Sequence, residues 1–440
     1  GMNEARIEPA RALRWAPAWV LLVVALWPLH GIAAALLAAG ALAGLAELAL
    51  RRFRGGLGLL SGPAWALACV LFAAYWLPEL LSLPGAADLG QAARKVLTDV
   101  LALPLLCLVA IAVAREDWRR RVFSGVAAIT LAWTLDALVA AVTGTSPLFW
   151  LLDQGRLALL GQPLCRAQDV IAPGRLAGVF GPCNPKLGIV LASLSPFALE
   201  AAWQRAGRPG WWLAALAIGG VVVLSGARAA WLAYALVLLG SGWRVLGRRG
   251  LLALVAVAAL AMVVLAVAVP AVQERVQRSA QVLEVQPQAV DAALSGRLRI
   301  WSAALCMLRA HPANGVGVRG FRAAFPACDP QPGQAPAWGA GTALHAHQLV
   351  LEVASETGLI GLLLWLAGAA LAWRAWRYAD PAARTRAHPA MLALAVSVFP
   401  LNTHLAAYST FWGGVLLLLA GLYVGSLWGA VEPVSSASQQ

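Results

Sequence analysis

The sequence has little charge and few interruptions of its hydrophobic character. Of its 440 residues only 12% are charged and 61% are hydrophobic, and the mean hydropathy is +0.74. These values exclude an ordinary soluble domain and a disordered chain. Apolar runs recur along the whole sequence, as expected of helices that must satisfy their backbone hydrogen bonds inside lipid. We therefore predict an all-α polytopic membrane protein that forms a single domain over residues 1–440.

Lysine is almost absent. The 33 basic residues comprise 31 arginines, Lys95 and Lys186, and the net charge is +13. A protein this basic could bind nucleic acid, but its arginines lie between the apolar runs and form no single patch. The sequence therefore argues against a nucleic-acid partner and for contact with membrane lipid.

The apolar runs are long enough to predict about twelve transmembrane helices. We place these spans near residues 16–28, 31–50, 59–78, 96–114, 122–142, 177–200, 211–224, 228–242, 251–271, 348–372, 390–405 and 409–428. Connections on one side contain 19 arginines, whereas the short connections on the other side contain seven basic residues. Because basic residues accumulate in cytoplasmic loops, both termini are predicted to be cytoplasmic. Residues 143–176 and 273–346 then face outward, the second as one large loop.

Four of the six cysteines fall on this outer side, where disulfides can form. A Cys165–Cys183 bond would close a modest loop, and a Cys306–Cys328 bond would close another. Free thiols near the interface are an equal alternative, because sequence cannot fix the pairing. The sequence contains no CxxC pair and no spacing typical of a metal site.

The large outer loop is predicted to contain interfacial helices rather than a disordered linker. Apolar residues recur every three or four positions near 295–310, at Leu298, Trp301, Leu305 and Leu308. This spacing describes a helix with one apolar stripe, and such a helix outside the membrane is expected to lie along its surface.

Arginines near the predicted membrane boundary are the first candidates for a site. Arg228 lies between the apolar runs 211–224 and 229–242. An ionised side chain near hydrocarbon costs roughly 2.5–3.5 kcal/mol, so it indicates a functional site. Arg297 and Arg299 lie in the first turn of the predicted outer helix, where positive charge is unfavourable unless an anion binds there. Together these residues suggest an enzyme that handles a lipid phosphate.

Two further cations flank a kinked entry into the sixth span. Arg175 and Lys186 bracket a segment rich in glycine and proline, residues 178–185. Such a segment frees backbone groups that could line a cavity. The alternative is an ordinary interfacial turn with snorkelling cations.

His345 and His347 lie where the tenth span begins. A helix N-terminus disfavours imidazolium, so a histidine there stays neutral and can accept a proton. The same N–H groups attract phosphate. This combination suits glycosyl transfer, in which a sugar hydroxyl loses its proton as it attacks. A pair of histidines at a wet interface is the plainer alternative, and a metal site would need a third ligand that the sequence does not show.

Three local patterns resemble the O-antigen ligase and polymerase superfamily (the Wzy_C type). They are RLAGVFGPCNPKLG at 175–188, SGARAAW at 225–231, and the elements between 296 and 361. The last group comprises Arg-x-x-x-Trp, His-Pro-x-x-Gly-x-Gly and His-x-His-Gln-x-x-Leu-x-x-x-x-Glu-Thr-Gly-x-x-Gly. The family more often has Asn where Gln348 stands. Among its members, the sequence is most similar to the O-antigen ligases (WaaL).

The resemblance implies a GT-C-like helical architecture in the bacterial inner membrane, with a periplasmic active site. It implies an enzyme that transfers O-antigen from undecaprenyl diphosphate to the lipid A-core, with no metal or other cofactor. We expect this enzyme to be a monomer. By position His347 matches the family's histidine, with His345 its less certain neighbour. Arg228 and Arg297 match arginines associated with the diphosphate, and Arg175 matches the arginine before the Gly-x-Phe turn. Arg299 and Lys186 are further candidates for the diphosphate.

Three alternatives remain open. An O-antigen polymerase belongs to the same superfamily but commonly has two outer loops with Arg-x10-Gly motifs. Here Arg309 to Gly320 and Arg322 to Gly333 fit that spacing, although both lie in one loop. A protein O-oligosaccharyltransferase would use a protein acceptor. A transporter of lipid-linked glycan would predict internal repeats and charges deep within the spans, and we detect no repeat.

Overall fold

The computed structural model describes residues 13–53, 58–171, 173–294, 296–338, 341–403 and 406–429. Within these ranges the chain forms helices and no strand. In chain order the helices are α1 Ala16–Ala25, α2 His30–Phe53, α3 Gly62–Leu81, α4 Leu89–Asp99, α5 Ala102–Ala114, α6 Glu116–Thr143, α7 Pro147–Leu160, α8 Leu187–Leu224, α9 Arg228–Ala268, α10 Pro270–Ala280, α11 Pro287–Ala293, α12 Arg297–Ala310, α13 Phe321–Cys328, α14 Leu349–Tyr378, α15 Pro381–Ser397 and α16 Thr410–Trp428.

Eight helical stretches are long and apolar enough to cross a membrane, as expected of a multi-pass membrane protein. The sequence predicted about twelve, and the difference has two sources. The first and eleventh predicted spans correspond to α1 and α15, which have 10 and 17 residues. Four other predicted spans are joined in pairs within α8 and α9. The count of twelve therefore stays a prediction.

Both joined helices contain a sharp break at a glycine. Gly207 in α8 and Gly247 in α9 have φ values of 65° and 69°, which belong to the left-handed region. A Cβ atom at Gly242 would lie 3.1 Å from Leu251 and 3.4 Å from Leu254. Twelve residues of continuous helix span about 18 Å, so α9 must double back at Gly247.

Helix α16 forms the centre of the bundle. Protein buries 83% of its most apolar window, compared with 6% for the corresponding window of α9, whose apolar side chains are left for lipid. Small residues allow α16 to approach α5 closely, since a Cβ atom at Gly421 would lie 2.6 Å from Val109. Close backbone approach of this kind is how helices associate when lipid removes the hydrophobic driving force.

Among its described residues, the long connection between α9 and α14 contains four helices and its own small core. Helix α12 corresponds to the helix predicted near 295–310, although residue 295 lies outside the described residues. The face of α12 that is buried differs from the predicted apolar stripe. Leu305, which belongs to that stripe, is 41% exposed. The buried side chains are contributed by α12, α13 and the segment before α14, and include Ile300, Ala303, Met307, Phe321, Phe325 and Ala346.

Both cysteine pairs that the sequence left open form disulfides. Cys165–Cys183 closes the connection between α7 and α8, and Cys306–Cys328 joins α12 to α13. Disulfides of this kind are typical of a compartment outside the cytoplasm. They therefore support the prediction that these connections face outward.

We expect the disulfides to be visible by counting thiols. In denatured protein that has not been reduced, a thiol reagent should label two cysteines, Cys69 and Cys107, because the other four are paired. After reduction all six should react. Mass spectrometry of the intact protein measures the number of labels, and a Cys69→Ser control should lower both counts by one. Four or six labels before reduction would contradict this pairing.

Candidate functional site

The turn between α8 and α9 brings two predicted arginines together. The backbone N–H of Leu176 donates to the carbonyl of Leu224 at 3.0 Å, which attaches the segment after Arg175 to this turn. Gly226 has a φ of 71°, and a Cβ atom there would lie 3.0 Å from the side chain of Arg175. Glycine at this position therefore provides both the turn conformation and the space that Arg175 occupies beside Arg228.

Helix α10 covers this turn with further polar groups. Arg275 donates from Nε to the carbonyl of Gly226 at 2.9 Å. Arg228 donates from Nη1 to Ser279 Oγ at 3.2 Å. Arg278, one helical turn after Glu274, pairs with that carboxylate. The contacts fix the start of α9 against α10 and bring Arg278 towards Arg228.

Burial and the positive charges of neighbouring arginines lower the pKa values of Arg175 and Arg297. The pKa of Arg175 is lowered by burial and then by the positive charges of Arg228 and Arg278. Burial and the charges of Arg228 and Arg175 lower the pKa of Arg297 to about 10. A guanidinium loses stability when it leaves water and faces like charges. We refer to Arg175, Arg228, Arg278 and Arg297 as the arginine cluster; an anion bound among them would relieve this repulsion.

His347 lies beside this cluster in a strained backbone conformation. Its φ is 53°, which is uncommon for a residue with a Cβ atom and occurs more often at functional sites. Its ring lies 3.8 Å from that of His345, measured between centroids. The backbone N–H of His347 also donates to Nδ1 of His345 at 3.3 Å. Both predicted histidines are therefore part of one local arrangement.

Burial and the charge of Arg297 lower the pKa of His347 to about 4. The imidazole is therefore neutral near pH 7 and has a nitrogen that can accept a proton. The shift also shows that His347 and Arg297 lie within electrostatic reach of each other. Across the described residues, no three His, Cys, Asp or Glu side chains form a group that could hold a metal ion.

Gln348 fixes the start of α14 next to His347. Its Oε1 accepts from the backbone N–H of Leu351 at 2.7 Å and caps the helix. Its Nε2 donates to the carbonyl of Pro400, and the backbone N–H of Leu349 donates to the carbonyl of Asn402 at 3.1 Å. Gln348 therefore caps α14, as the more usual Asn would, and its longer side chain also reaches the connection between α15 and α16.

Two motifs of the resemblance pack directly against each other. Helix α14 breaks at Gly358, where φ is 71°, and the N–H groups of Leu359 and Ile360 donate to the carbonyls of Pro312 and Ala313 at 2.9 and 3.1 Å. The His-Pro-x-x-Gly-x-Gly loop therefore fills the break in the Glu-Thr-Gly-x-x-Gly helix. This packing joins the end of α12, which begins with Arg297, to the helix that follows His347.

The acidic side chains of α14 are buried, and Glu352 binds backbone N–H groups. Glu352 is 1% exposed and accepts from the N–H groups of Ala407 and Tyr408 at 2.9 and 3.3 Å. Glu356 is equally buried. Glu352 therefore attaches the connection before α16 to the helix that follows His347.

Arg299 does not join the arginine cluster. It forms a bidentate ion pair with Asp329 at 2.8 and 2.7 Å and donates to the carbonyls of Gln331 and Gln334. The ring centroid of Trp338 lies 5.1 Å from Cζ of Arg299. The side chain is buried, and the hydrogen bonds to Asp329 raise its pKa. These contacts hold α12 against residues 329–338, and they occupy the guanidinium with partners inside the protein.

Lys186 occupies a separate position at the start of α8. Its Nζ lies 3.9 Å from the ring centroid of Phe411, a cation–π contact. Burial lowers its pKa to about 8. The neighbouring Phe411 packs against Trp27 and Phe180. The lysine therefore lies among aromatic side chains, whereas the arginines lie among one another.

Sequence reasoning missed Arg278. Its spacing from Glu274 is typical of a solvated i,i+4 pair on a helix surface, and nothing in the sequence indicates that α10 covers the Gly226 turn.

Comparison with protein families gives a match that overlaps this site. Residues 213–366 match the family model Wzy_C, described as O-antigen ligase. The match covers Arg228, Arg278, Arg297 and both histidines, and it excludes Arg175 and Lys186. A search of curated proteins gives no match. The family indicates an enzyme that transfers a glycosyl group. Over residues 213–366, the chain is therefore similar to the O-antigen ligase family.

Proposed function

We propose that this protein is an O-antigen ligase of the WaaL type. It transfers polysaccharide from undecaprenyl diphosphate to the lipid A-core at the periplasmic face of the bacterial inner membrane. The observation that carries the proposal is the neutral His347 beside the arginine cluster, at the end of the bundle where both disulfides lie. A cationic site next to a proton acceptor suits a diphosphate donor and a hydroxyl acceptor.

The arginine cluster binds the diphosphate of the donor. Guanidinium groups form bidentate hydrogen bonds with phosphate oxygens, and an ammonium group cannot reproduce that planar arrangement. Arg228 and Arg297 provide the central contacts, and Arg175 and Arg278 add charge from either side. As the bond between the sugar C1 and the diphosphate breaks, negative charge grows on the leaving group and the cluster stabilises it. The arginines supply this charge stabilisation, and the proposed reaction uses no metal or other cofactor.

His347 accepts the proton of the acceptor. A hydroxyl of the lipid A-core attacks C1 of the donor sugar, the new C–O bond forms, and undecaprenyl diphosphate leaves. The proton of that hydroxyl passes to the neutral imidazole. Bound diphosphate offsets the charge of Arg297, which is one of the two causes of the low pKa of His347. Donor binding therefore makes His347 a stronger base at the moment when one is needed.

We expect the arginines to be essential for transfer. Arg228→Ala and Arg297→Ala should each lower transfer at least ~100-fold, the usual loss when a group that stabilises transition-state charge is removed. Arg→Lys should restore little, because a point charge lacks the bidentate geometry. Arg309→Ala is the matched control, since Arg309 lies exposed at the other end of α12. The assay measures product from purified lipid-linked glycan and lipid A-core. Full activity of both alanine variants would contradict the diphosphate site.

Replacement of the histidines should separate proton transfer from donor binding. His347→Ala should lower transfer about 10²–10⁴-fold while the protein still binds undecaprenyl-linked donor, because only the base is lost. His345→Ala should have a smaller effect.

The choice of acceptor distinguishes a ligase from a polymerase and from a protein oligosaccharyltransferase. The same assay is run with lipid A-core, with a second molecule of the lipid-linked glycan, or with a pilin-like protein as the acceptor. Product on lipid A-core alone is the expected result, and undiminished transfer by His347→Ala would place the base elsewhere.

The pH dependence should reveal the change in basicity on donor binding. A base must be neutral to act, so transfer is lost as pH falls through its pKa. The acidic limb of kcat/KM for the donor reports the free enzyme and should lie near pH 4, whereas the limb of kcat reports the donor complex. Because diphosphate screens Arg297, we expect the kcat limb at a higher pH. Coinciding limbs would show that the donor leaves the base unchanged.

A further inference from the structure

A cavity of about 530 Å³ lies far from the arginine cluster, between α6, α8 and α15. Gly188 contacts Ser225 beside the cluster, and Glu200, which lines the cavity, lies twelve residues further along α8. Twelve helical residues span about 18 Å, so the cavity is close to the opposite surface of the bundle. Helices α6 and α15 begin at Glu116 and Pro381, near this level. The arginine-rich connections lie on the same side, which the sequence predicts to be cytoplasmic.

The cavity is apolar on one wall and polar on another. Phe123 and Phe197 meet edge to face, with ring centroids 5.0 Å apart, and form the apolar wall. The polar wall carries hydroxyl, amide, carboxylate and guanidinium groups, from Ser124, Thr385, Gln204, Glu200 and Arg386. A site of this composition suits a molecule with a charged head and hydrocarbon chains.

Glu200 retains capacity to accept hydrogen bonds. Its carboxylate accepts from Gln204 at 3.3 Å and from Arg244 at 3.4 Å, both long for hydrogen bonds. A carboxylate offers about four acceptor positions. The side chain is 15% exposed, so it is held at the cavity rather than extended into water. An ammonium group with several N–H donors would satisfy the remaining positions.

Arg386 provides a positive charge in the same cavity. Its Nε and Nη2 donate to the carbonyls of Ser426 and Leu427 at 2.8 and 3.1 Å, which fixes the guanidinium in place. Within the described residues, Nη1 has no partner. Arg119 lies within electrostatic reach and adds a second positive charge. The cavity therefore presents a fixed carboxylate and a fixed guanidinium to one occupant.

We propose that this cavity binds one phospholipid with a zwitterionic headgroup bearing a primary ammonium, of the phosphatidylethanolamine type. Its ammonium donates to Glu200, its phosphate accepts from Arg386, and the first carbons of its chains pack on Phe123 and Phe197. An anionic lipid without an amine would bring its phosphate towards Glu200 and offer the carboxylate no cationic donor. A quaternary amine has the same net charge but no N–H group. The headgroup is therefore selected by hydrogen bonds as well as charge.

Lipid binding to purified, delipidated protein tests this proposal. Native mass spectrometry would measure retention of phosphatidylethanolamine, phosphatidylglycerol and phosphatidylcholine added separately. We expect one tightly held phosphatidylethanolamine, preferred roughly tenfold or more over the other two, as a charge-assisted hydrogen bond would give. Glu200→Gln should abolish that preference. Ala201→Trp should fill the cavity and lower retention of all three. Glu47→Gln, which alters a carboxylate paired with Arg51 on α2, should retain the preference.

Three results would overturn the proposal. Equal or tighter retention of phosphatidylglycerol by the unaltered protein would mean that the arginines alone choose the lipid. An unchanged preference in Glu200→Gln would remove the carboxylate from the site. Full retention by Ala201→Trp, with an unchanged melting temperature, would place the bound lipid elsewhere. The outcome is independent of the proposed ligase reaction, because the cavity and the arginine cluster are at different ends of the bundle.

Discussion

Repulsion between like charges is the constraint around which the end of the bundle that holds the arginine cluster is organised. Guanidinium groups that are brought together and partly removed from water lose stability, so other contacts must hold them. A glycine turn makes room for Arg175 beside Arg228, and Ser279 holds Arg228 from α10. Because the protein already holds these charges together, an anion that bound there would find a site that needs little rearrangement.

The sequence could identify arginines near the site but could not always say which way they face. Arg297 and Arg299 both signal an anion at the first turn of α12, yet residues two apart are separated by about 200° around a helix. Only one can face the cluster, and the other turns inward to Asp329. Arg278 was missed for the opposite reason, because its pairing with Glu274 is ordinary and its importance comes from contacts distant in sequence. His347, Arg228 and Arg297 could be proposed from the sequence because a motif and a helix boundary coincide at each of them.

The fold was predictable to a similar degree. Hydrophobic length identified the apolar segments, because every transmembrane helix must satisfy its own backbone. It could not fix their number, since α8 and α9 continue through glycines that only the backbone angles reveal as breaks. The outer helix α12 was predicted from its spacing, but its buried face was not. That face is set by the packing of α13 and of the segment before α14, which lie later in the chain.

The break at Gly358 has a consequence for how the protein is made. At this point α14 cannot supply acceptors for the N–H groups of Leu359 and Ile360, and the loop after α12 supplies them instead. An N–H group left unsatisfied near hydrocarbon is costly. The loop precedes α14 in the chain, so the ribosome delivers the acceptors before the helix that needs them. In return, the N–H of Val316 in that loop donates to the carbonyl of Ser355 in α14 at 3.0 Å, so the loop and the helix must form this contact together.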